Sequence, residues 1–289
     1  MSIHGILGEQ TTDYPTEYSP ETLYPIARSM GRDVIGWDTE KITHGVDWWQ
    51  AFEVSWLNPQ GISQVAIARF GIPASSPYIV ESKSLKLYLN SINFTEFASW
   101  QDVEILIAKD LSGCVQAEVT VELFRLENDI SSLLIAKPEG ICIDNALADS
   151  TEKVTLCEHP DASLLQDQAQ TDDSNLESGK PQPHTFYSNL LRSNCPVTNQ
   201  PDWGTLAVSI TTDKPFNNAN MLRYILSFRQ HNGFHEQCVE QIFADLSKYY
   251  APSQLMVRAW YTRRGGIDIN PCRVSDMSLL PKPSRLIRQ

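Results

Sequence analysis

The sequence predicts an α+β protein built of two tandem modules, each an antiparallel sheet with helices packed on one face. Three observations carry this reading. Some stretches alternate apolar and polar residues, others place apolar residues on one helical face, and the same order of elements recurs about 136 to 137 residues further on. In the first stretch, strands are predicted at 47–57 and 63–70, followed by a strand-like apolar run, SLKLYL (84–89). A helix comes next, with Val103, Leu106, Ile107 and Leu111 on one face, Ser99 as its cap and Asp102 in its first turn. In AEVTVELFRL, Val119, Val121 and Leu123 then alternate with Glu118, Thr120 and Glu122, the pattern of a half-buried strand. The second stretch has strands at 185–193 and 204–212, then MLRYIL (221–226), which matches SLKLYL. Its helix carries Val239, Ile242, Phe243 and Leu246 on one face, and QLMVRAWYTR alternates Leu255, Val257, Ala259 and Tyr261. The two helices share QDVE (101–104) against QCVE (237–240).

Charge divides the chain in a similar way. The 289 residues carry 23 Lys and Arg against 35 Asp and Glu, a net charge of -12. Residues 1–157 hold 22 acids and 10 bases, 158–184 hold 6 and 1, and 185–289 hold 7 and 12. The expected domains are therefore an N-terminal module (1–157), an acidic linker or surface excursion (158–184) and a basic C-terminal module (185–289). The acidic total speaks against direct binding of nucleic acid, which needs clustered positive charge. No run approaches the roughly 18 apolar residues of a membrane span, and the start lacks the basic and then apolar blocks of a signal peptide. Six cysteines without a CxxC or regular spacing do not form a disulfide framework, so a cytoplasmic location is expected.

Common cofactor signatures are absent: there is no GxGxxG after a strand, no Walker loop and no GxSxG elbow. Four segments carry the reactive residue types. Cys195 lies in SNCPVTNQPDWG, a Pro-rich loop between two predicted strands with Asp202 seven residues on. It reads either as a small buried hydrophobe or as an accessible thiol with a carboxylate to take its proton. HNGFHEQC (231–238) offers His231, His235 and Cys238 to a metal, but Gly233 interrupts the helix and no second ligand cluster has metal spacing. Cys238 also fits the apolar helix face. Read as a strand, ESKSLKLY (81–88) puts Glu81 and Lys83 on one side and Ser82, Ser84 and Lys86 on the other, a charged edge. In YTRRGGIDINP (261–271), two arginines before two glycines form either a strand-terminating turn or a place where guanidinium and backbone N–H groups meet a phosphate.

Together these segments resemble the NADPH-dependent 7-cyano-7-deazaguanine reductases, the nitrile reductases of queuosine biosynthesis. ESKSLKLY resembles that family's cofactor motif, SNCPVTNQPDWG its catalytic loop, GFHE its substrate motif and TRRGGIDINP its C-terminal cofactor motif. The arrangement is similar to the two-module branch, whose members adopt the tunnelling fold (T-fold). By resemblance, Cys195 is the nucleophile that forms a covalent thioimide and Asp202 handles protons. Val80, Glu81, Ser82, His235 and Glu236 hold the deazaguanine, and Ser82, Lys83, Arg264 and Gly265 bind NADPH. No metal is implied. The expected partners are the small-molecule nitrile and a second copy of the chain in a homodimer.

The physical chemistry suits these roles. A nitrile accepts hydride poorly, and a thioimide is a more electrophilic C=N centre. A guanine-like ring presents adjacent N–H donors that a carboxylate can accept. Going from nitrile to amine is a four-electron change that consumes two NADPH through an imine, which has to be shielded from water; Phe234 is placed to cover it. The rivals are a zinc-dependent hydrolase of the same fold, similar to the GTP cyclohydrolases, and a non-catalytic purine-binding module.

Overall fold

The computed structural model of the chain describes residues 14–127, 129, 133–166 and 180–289. Its elements, in order, are β1 (Pro25–Ala27), α1 (Ser29–Ile35), β2 (Gly45–Leu57), β3 (Ser63–Pro73), β4 (Tyr78–Val80), α2 (Ser82–Ser91), α3 (Trp100–Val115) and β5 (Thr120–Phe124). There follow β6 (Ile135–Ala136), β7 (Ile141–Cys142), β8 (Gln182–Asn194), β9 (Pro201–Thr212), α4 (Asn218–Ser227), α5 (His235–Tyr250), β10 (Gln254–Tyr261), β11 (Ile267–Val274) and β12 (Arg285–Leu286). The class is α+β, as the pattern predicts. An eight-stranded sheet runs β5-β3-β2-β11-β10-β9-β8-β7, antiparallel throughout except where β7 joins β8. Of the strands in this sheet, the last in chain order, β11, pairs with the first, β2, so one sheet spans both halves. No helix among the described residues is long and apolar enough to cross a membrane.

The predicted repetition extends to fine detail. α2 and α4 each have 10 residues, and α3 and α5 each have 16. The register slips between Ala51 and Val54 in β2 and between Ser188 and Leu191 in β8, the same place in each hairpin. Tyr88 donates to Asp110 at 2.7 Å, and Tyr224 donates to Asp245 at 2.6 Å. A core lies between helices and sheet in each half, with Ile267 and Ile269 joining the first and Ile35 and Ile42 the second. Trp49, Ala51, Phe70 and Ile72 meet Leu85, Tyr88, Ile107 and Leu111 in the first. Leu206, Val208 and Ile210 meet Tyr224, Ile225, Val239 and Ile242 in the second.

Two expectations are corrected. SLKLYL and MLRYIL lie in helices α2 and α4, not in strands. A six-residue apolar run suits either element, and here the caps decide. Glu81 accepts the N–H groups of Lys83 and Ser84, and Asn217 those of Ala219 and Asn220, which starts a helix at each site. The alternating two-sided strand read for ESKSLKLY falls with it. As for the acidic stretch 158–184, residues 167–179 lie outside the described residues. Its beginning is docked: Leu165 is buried in the second core, Asp161 N–H donates to Ser227 Oγ, and Asn220 Nδ2 donates to the Gln166 carbonyl. Residues 141–166 thus pack on the second half, although charge groups them with the first half and the linker. A charge count registers surface composition, not strand pairing.

Candidate active site

Three connections end around one cavity of about 270 Å³: the β4–α2 junction, the β8–β9 hairpin tip and the β10–β11 turn, together with the start of α5. All ten residues to which the resemblance gives a role line it: Val80, Glu81, Ser82, Lys83, Cys195, Asp202, His235, Glu236, Arg264 and Gly265, whereas His231 and Cys238 do not. Both halves of the chain contribute.

Cys195 follows β8 directly. Its N–H donates to the Gln200 carbonyl at 2.9 Å, and its carbonyl accepts from Asn199 N–H at 2.9 Å, which closes the loop. Asn199 takes the left-handed conformation (φ 55°) that this closure requires and that Asn tolerates. Burial raises the thiol pKa. Hydrogen bonds from the Thr198 side chain, the Thr198 and Val197 backbone and Arg264 outweigh it, and the net pKa lies below the ordinary value.

Asp202, near the start of β9, is buried, yet its carboxyl also titrates below the usual range. Desolvation opposes ionisation, while His235, Arg264 and Arg192 favour it. Arg264 lies 3.3 Å from Asp202 Oδ1. His235 Nε2 lies 3.4 Å from Oδ2, a loose electrostatic contact rather than an aligned hydrogen bond. The His235 ring packs on Tyr261 with centroids 4.0 Å apart. Glu236, one residue further into α5, is 2% exposed, and its Oε1 has no hydrogen-bond partner among the described residues. Burial, reinforced by the charge of Asp47, raises its pKa to about 7 against the opposing effects of His235 and Arg28.

Glu81 is the cap of α2. Its Oε1 accepts from Lys83 N–H at 2.8 Å and its Oε2 from Ser84 N–H at 2.7 Å, so the carboxylate is fixed at the cavity edge. Gly265 and Gly266 take φ of 58° and 76° in the β10–β11 turn. A Cβ on Gly265 would lie 2.5 Å from Lys86 Nζ, so this glycine also makes room for the lysine.

Lys86 lines the cavity, but the sequence reading gave it no role. A strand would put Lys83 and Lys86 on opposite sides; a helix brings residues three apart to one side, and that spacing was the signal available. Burial, and then the nearby Arg264, lower the Lys86 pKa, while Glu81 and Glu53 oppose this. Trp49 and Ile269 add an apolar wall that only the folded sheet brings to the site. Among the described residues, no group of three or more His, Cys, Asp or Glu side chains is placed to hold a metal ion. The cavity joins an acidified thiol, buried carboxyls able to accept N–H donors, and a cationic rim suited to a phosphorylated ligand.

A family model described as nitrile reductase, 7-cyano-7-deazaguanine-reductase N-term, matches residues 14–123, and one described as QueF-like protein matches residues 201–278. A protein of Psychrobacter cryohalolentis named NADPH-dependent 7-cyano-7-deazaguanine reductase is 81% identical to this chain over the whole of both. Proteins of the same name from Psychrobacter arcticus and Acinetobacter baumannii are 78% and 52% identical, again over the whole of both chains.

Proposed function

The chain belongs to the NADPH-dependent 7-cyano-7-deazaguanine reductases, and from that membership we propose that it reduces the nitrile of 7-cyano-7-deazaguanine to the amine 7-aminomethyl-7-deazaguanine, in queuosine biosynthesis for tRNA modification. The observation that carries this reading is the convergence of all four motifs on one cavity, with the acidified thiol of Cys195 among them.

In the proposed mechanism Glu236 and Glu81 accept N–H donors of the deazaguanine, with Val80, Ser82 and His235 around the ring. The Cys195 sulfur adds to the nitrile carbon: an S–C bond forms, one C≡N π pair moves to nitrogen, and a proton delivered by way of Asp202 completes a thioimide. This splits one hard reduction into easier steps. Asp202, between Arg264 and His235, is ionised at rest and so is free to accept the proton that it passes on.

The residues present suit NADPH. Lys83, Lys86 and Arg264 supply positive charge, Ser82 a hydroxyl, and the Gly265 turn a close backbone approach. Bound NADPH supplies hydride, and two equivalents are required for the four-electron change. Phe234, the cap residue of α5, borders the cavity and keeps water from the half-reduced imine.

A division into two modules, with residues 141–166 packed on the second, the tunnelling fold of each, and a homodimer are parts of the same proposal; light scattering tests the last. The direct test of function is NADPH absorbance in the presence of the nitrile. We expect two NADPH consumed per nitrile, with activity abolished in Cys195→Ala. Folded wild-type protein that oxidises no NADPH with this nitrile would contradict the reading.

A further inference from the structure

We propose that Tyr261 is a positioning residue: its buried ring is the platform on which the His235 imidazole is held against the Asp202 carboxylate, so that Asp202 is aligned for the proton transfers of the proposed reaction. The resemblance gives Tyr261 no role. Its ring does not line the cavity and acts through His235, which does.

The contacts form a closed circuit that begins and ends on β9. Asp202 and Gly204 stand two residues apart on that strand and so face the same side of the sheet. In the register of β9 with β10, Gly204 is directly opposite Tyr261. Thr262 N–H donates to the Trp203 carbonyl at 2.8 Å, which fixes the two strands against each other at this point. Because Gly204 has no side chain, the Tyr261 ring lies close over it: a Cβ there would come within 3.3 Å of Cδ1 and Cε1 of the ring. The same ring meets the His235 imidazole, with centroids 4.0 Å apart and planes inclined by 32°. His235 Nε2 then lies 3.4 Å from Asp202 Oδ2, back on the strand that carries Gly204. Tyr261 is itself held from behind, fully buried in the core of the second half, with its carbonyl accepting from Gln289 Nε2 at 3.0 Å.

The physical argument concerns what fixes the imidazole. His235 is the first residue of α5 and borders the cavity, where two side-chain torsions leave a ring free to turn unless something packs on it. Its contact with Asp202 is too loose to fix it, since Nε2 makes no aligned hydrogen bond among the described residues. The Tyr261 ring does. Aromatic pairs ordinarily sit about 4.5–7 Å apart, and the shorter separation here leaves the imidazole little room to rotate. The platform is rigid in its turn, because Tyr261 has no exposed surface and Gly204 adds no movable side chain beneath it. A carboxylate that passes protons works only in the right orientation, and a misplacement of about 1 Å costs about a hundredfold in rate. The stack uses the ring carbons, so phenylalanine would serve as well as tyrosine.

The test compares Tyr261→Leu and Tyr261→Phe with the wild-type chain, by steady-state kinetics with 7-cyano-7-deazaguanine and NADPH and by proton NMR of the histidine rings without ligands. Tyr261→Leu should lower kcat about tenfold while KM for NADPH stays within about twofold. Tyr261→Phe should keep kcat within about twofold of wild type. The ring current of Tyr261 should shift the His235 ring protons upfield; the shift should survive in Tyr261→Phe and vanish in Tyr261→Leu. An unchanged kcat in Tyr261→Leu with wild-type circular dichroism overturns the inference. An equal loss in Tyr261→Phe also overturns it, because the hydroxyl and not the ring would then matter. Should the leucine variant fail to fold, Gly204→Ala, whose methyl group displaces the ring by a few tenths of an ångström, should lower kcat about threefold. An unchanged kcat there overturns the inference equally. The inference rests on the proposed reaction, with Asp202 moving its protons, and the two fail separately. Wild-type protein that shows the upfield shift but does not turn over the nitrile contradicts the reaction; turnover that survives loss of the shift contradicts the role of Tyr261.

Discussion

In the proposed binding mode Glu236, its carboxyl inside the protein and its Oε1 unpartnered among the described residues, offers both oxygens as acceptors to the deazaguanine only when ionised. Its pKa, raised to about 7 mainly by burial, places that ionisation in the working range. As pH falls below about 7, nitrile affinity should drop, approaching tenfold per unit, and a KM profile across that range checks it. Glu236→Gln should bind weakly at every pH and flatten the profile; a wild-type KM independent of pH would count against the role. The same shift bears on stability. The contribution of the protonated Glu236 is full below its ordinary value of 4.5 and is lost as the pH rises to about 7. Glu240 has the opposite sign: burial opposes its ionisation, but Arg273, Arg32 and Arg28 hold its pKa below 4.5, so its contribution is lost as acid protonates it.

The repeated elements separate structure from chemistry at the helix starts. Glu81 caps α2 and Asn217 caps α4, each accepting two backbone N–H groups, yet only Glu81 lies at the cavity. Asn217→Ala should therefore cost about 1 kcal/mol in urea unfolding and leave turnover intact. Glu81→Asn, which installs the other repeat's cap, should stay within about 0.5 kcal/mol of wild-type stability while KM for the nitrile rises at least about tenfold. Loss of stability without loss of affinity would show that Glu81 is only a cap. This level of the fold was largely legible in the sequence. The alternation of Leu255, Val257, Ala259 and Tyr261 reads as β10, and Ser99 marks the start of α3, where its Oγ accepts Asp102 N–H. α2 and α4 were not legible, because six-residue runs with four or five apolar residues fit a helix as well as a strand and a glutamate cap is a weak signal. Lys86 was lost with α2, its side of the element following from the wrong period.

Across the whole molecule the halves meet at the β2–β11 pairing, and a buried ionic cluster links them. Arg273 lies 2.6 Å from Asp47 and 2.8 Å from Glu240, which also takes Arg32 of α1 at 2.6 Å, while Arg28 lies 2.6 Å from Asp47. Nothing in the sequence announces it, since Arg32 and Glu240 stand 208 residues apart. What the sequence does reveal is which residues share the candidate cavity, because they sit in short motifs that the fold need only bring together. Glu240→Ala leaves Arg32 and Arg273 without a shared carboxylate and should destabilise the chain by about 3–5 kcal/mol in urea unfolding. Both halves should melt earlier; early loss of one half alone would mean that the cluster does not join them. The central claim is that Cys195, set between those halves, attacks the nitrile before any hydride moves. The most direct measurement is intact-protein mass after mixing the enzyme with 7-cyano-7-deazaguanine in the absence of NADPH. The predicted result is one added substrate mass, mapped to the Cys195 peptide and missing in Cys195→Ala; an unmodified Cys195 in enzyme that turns over once NADPH is supplied would contradict it.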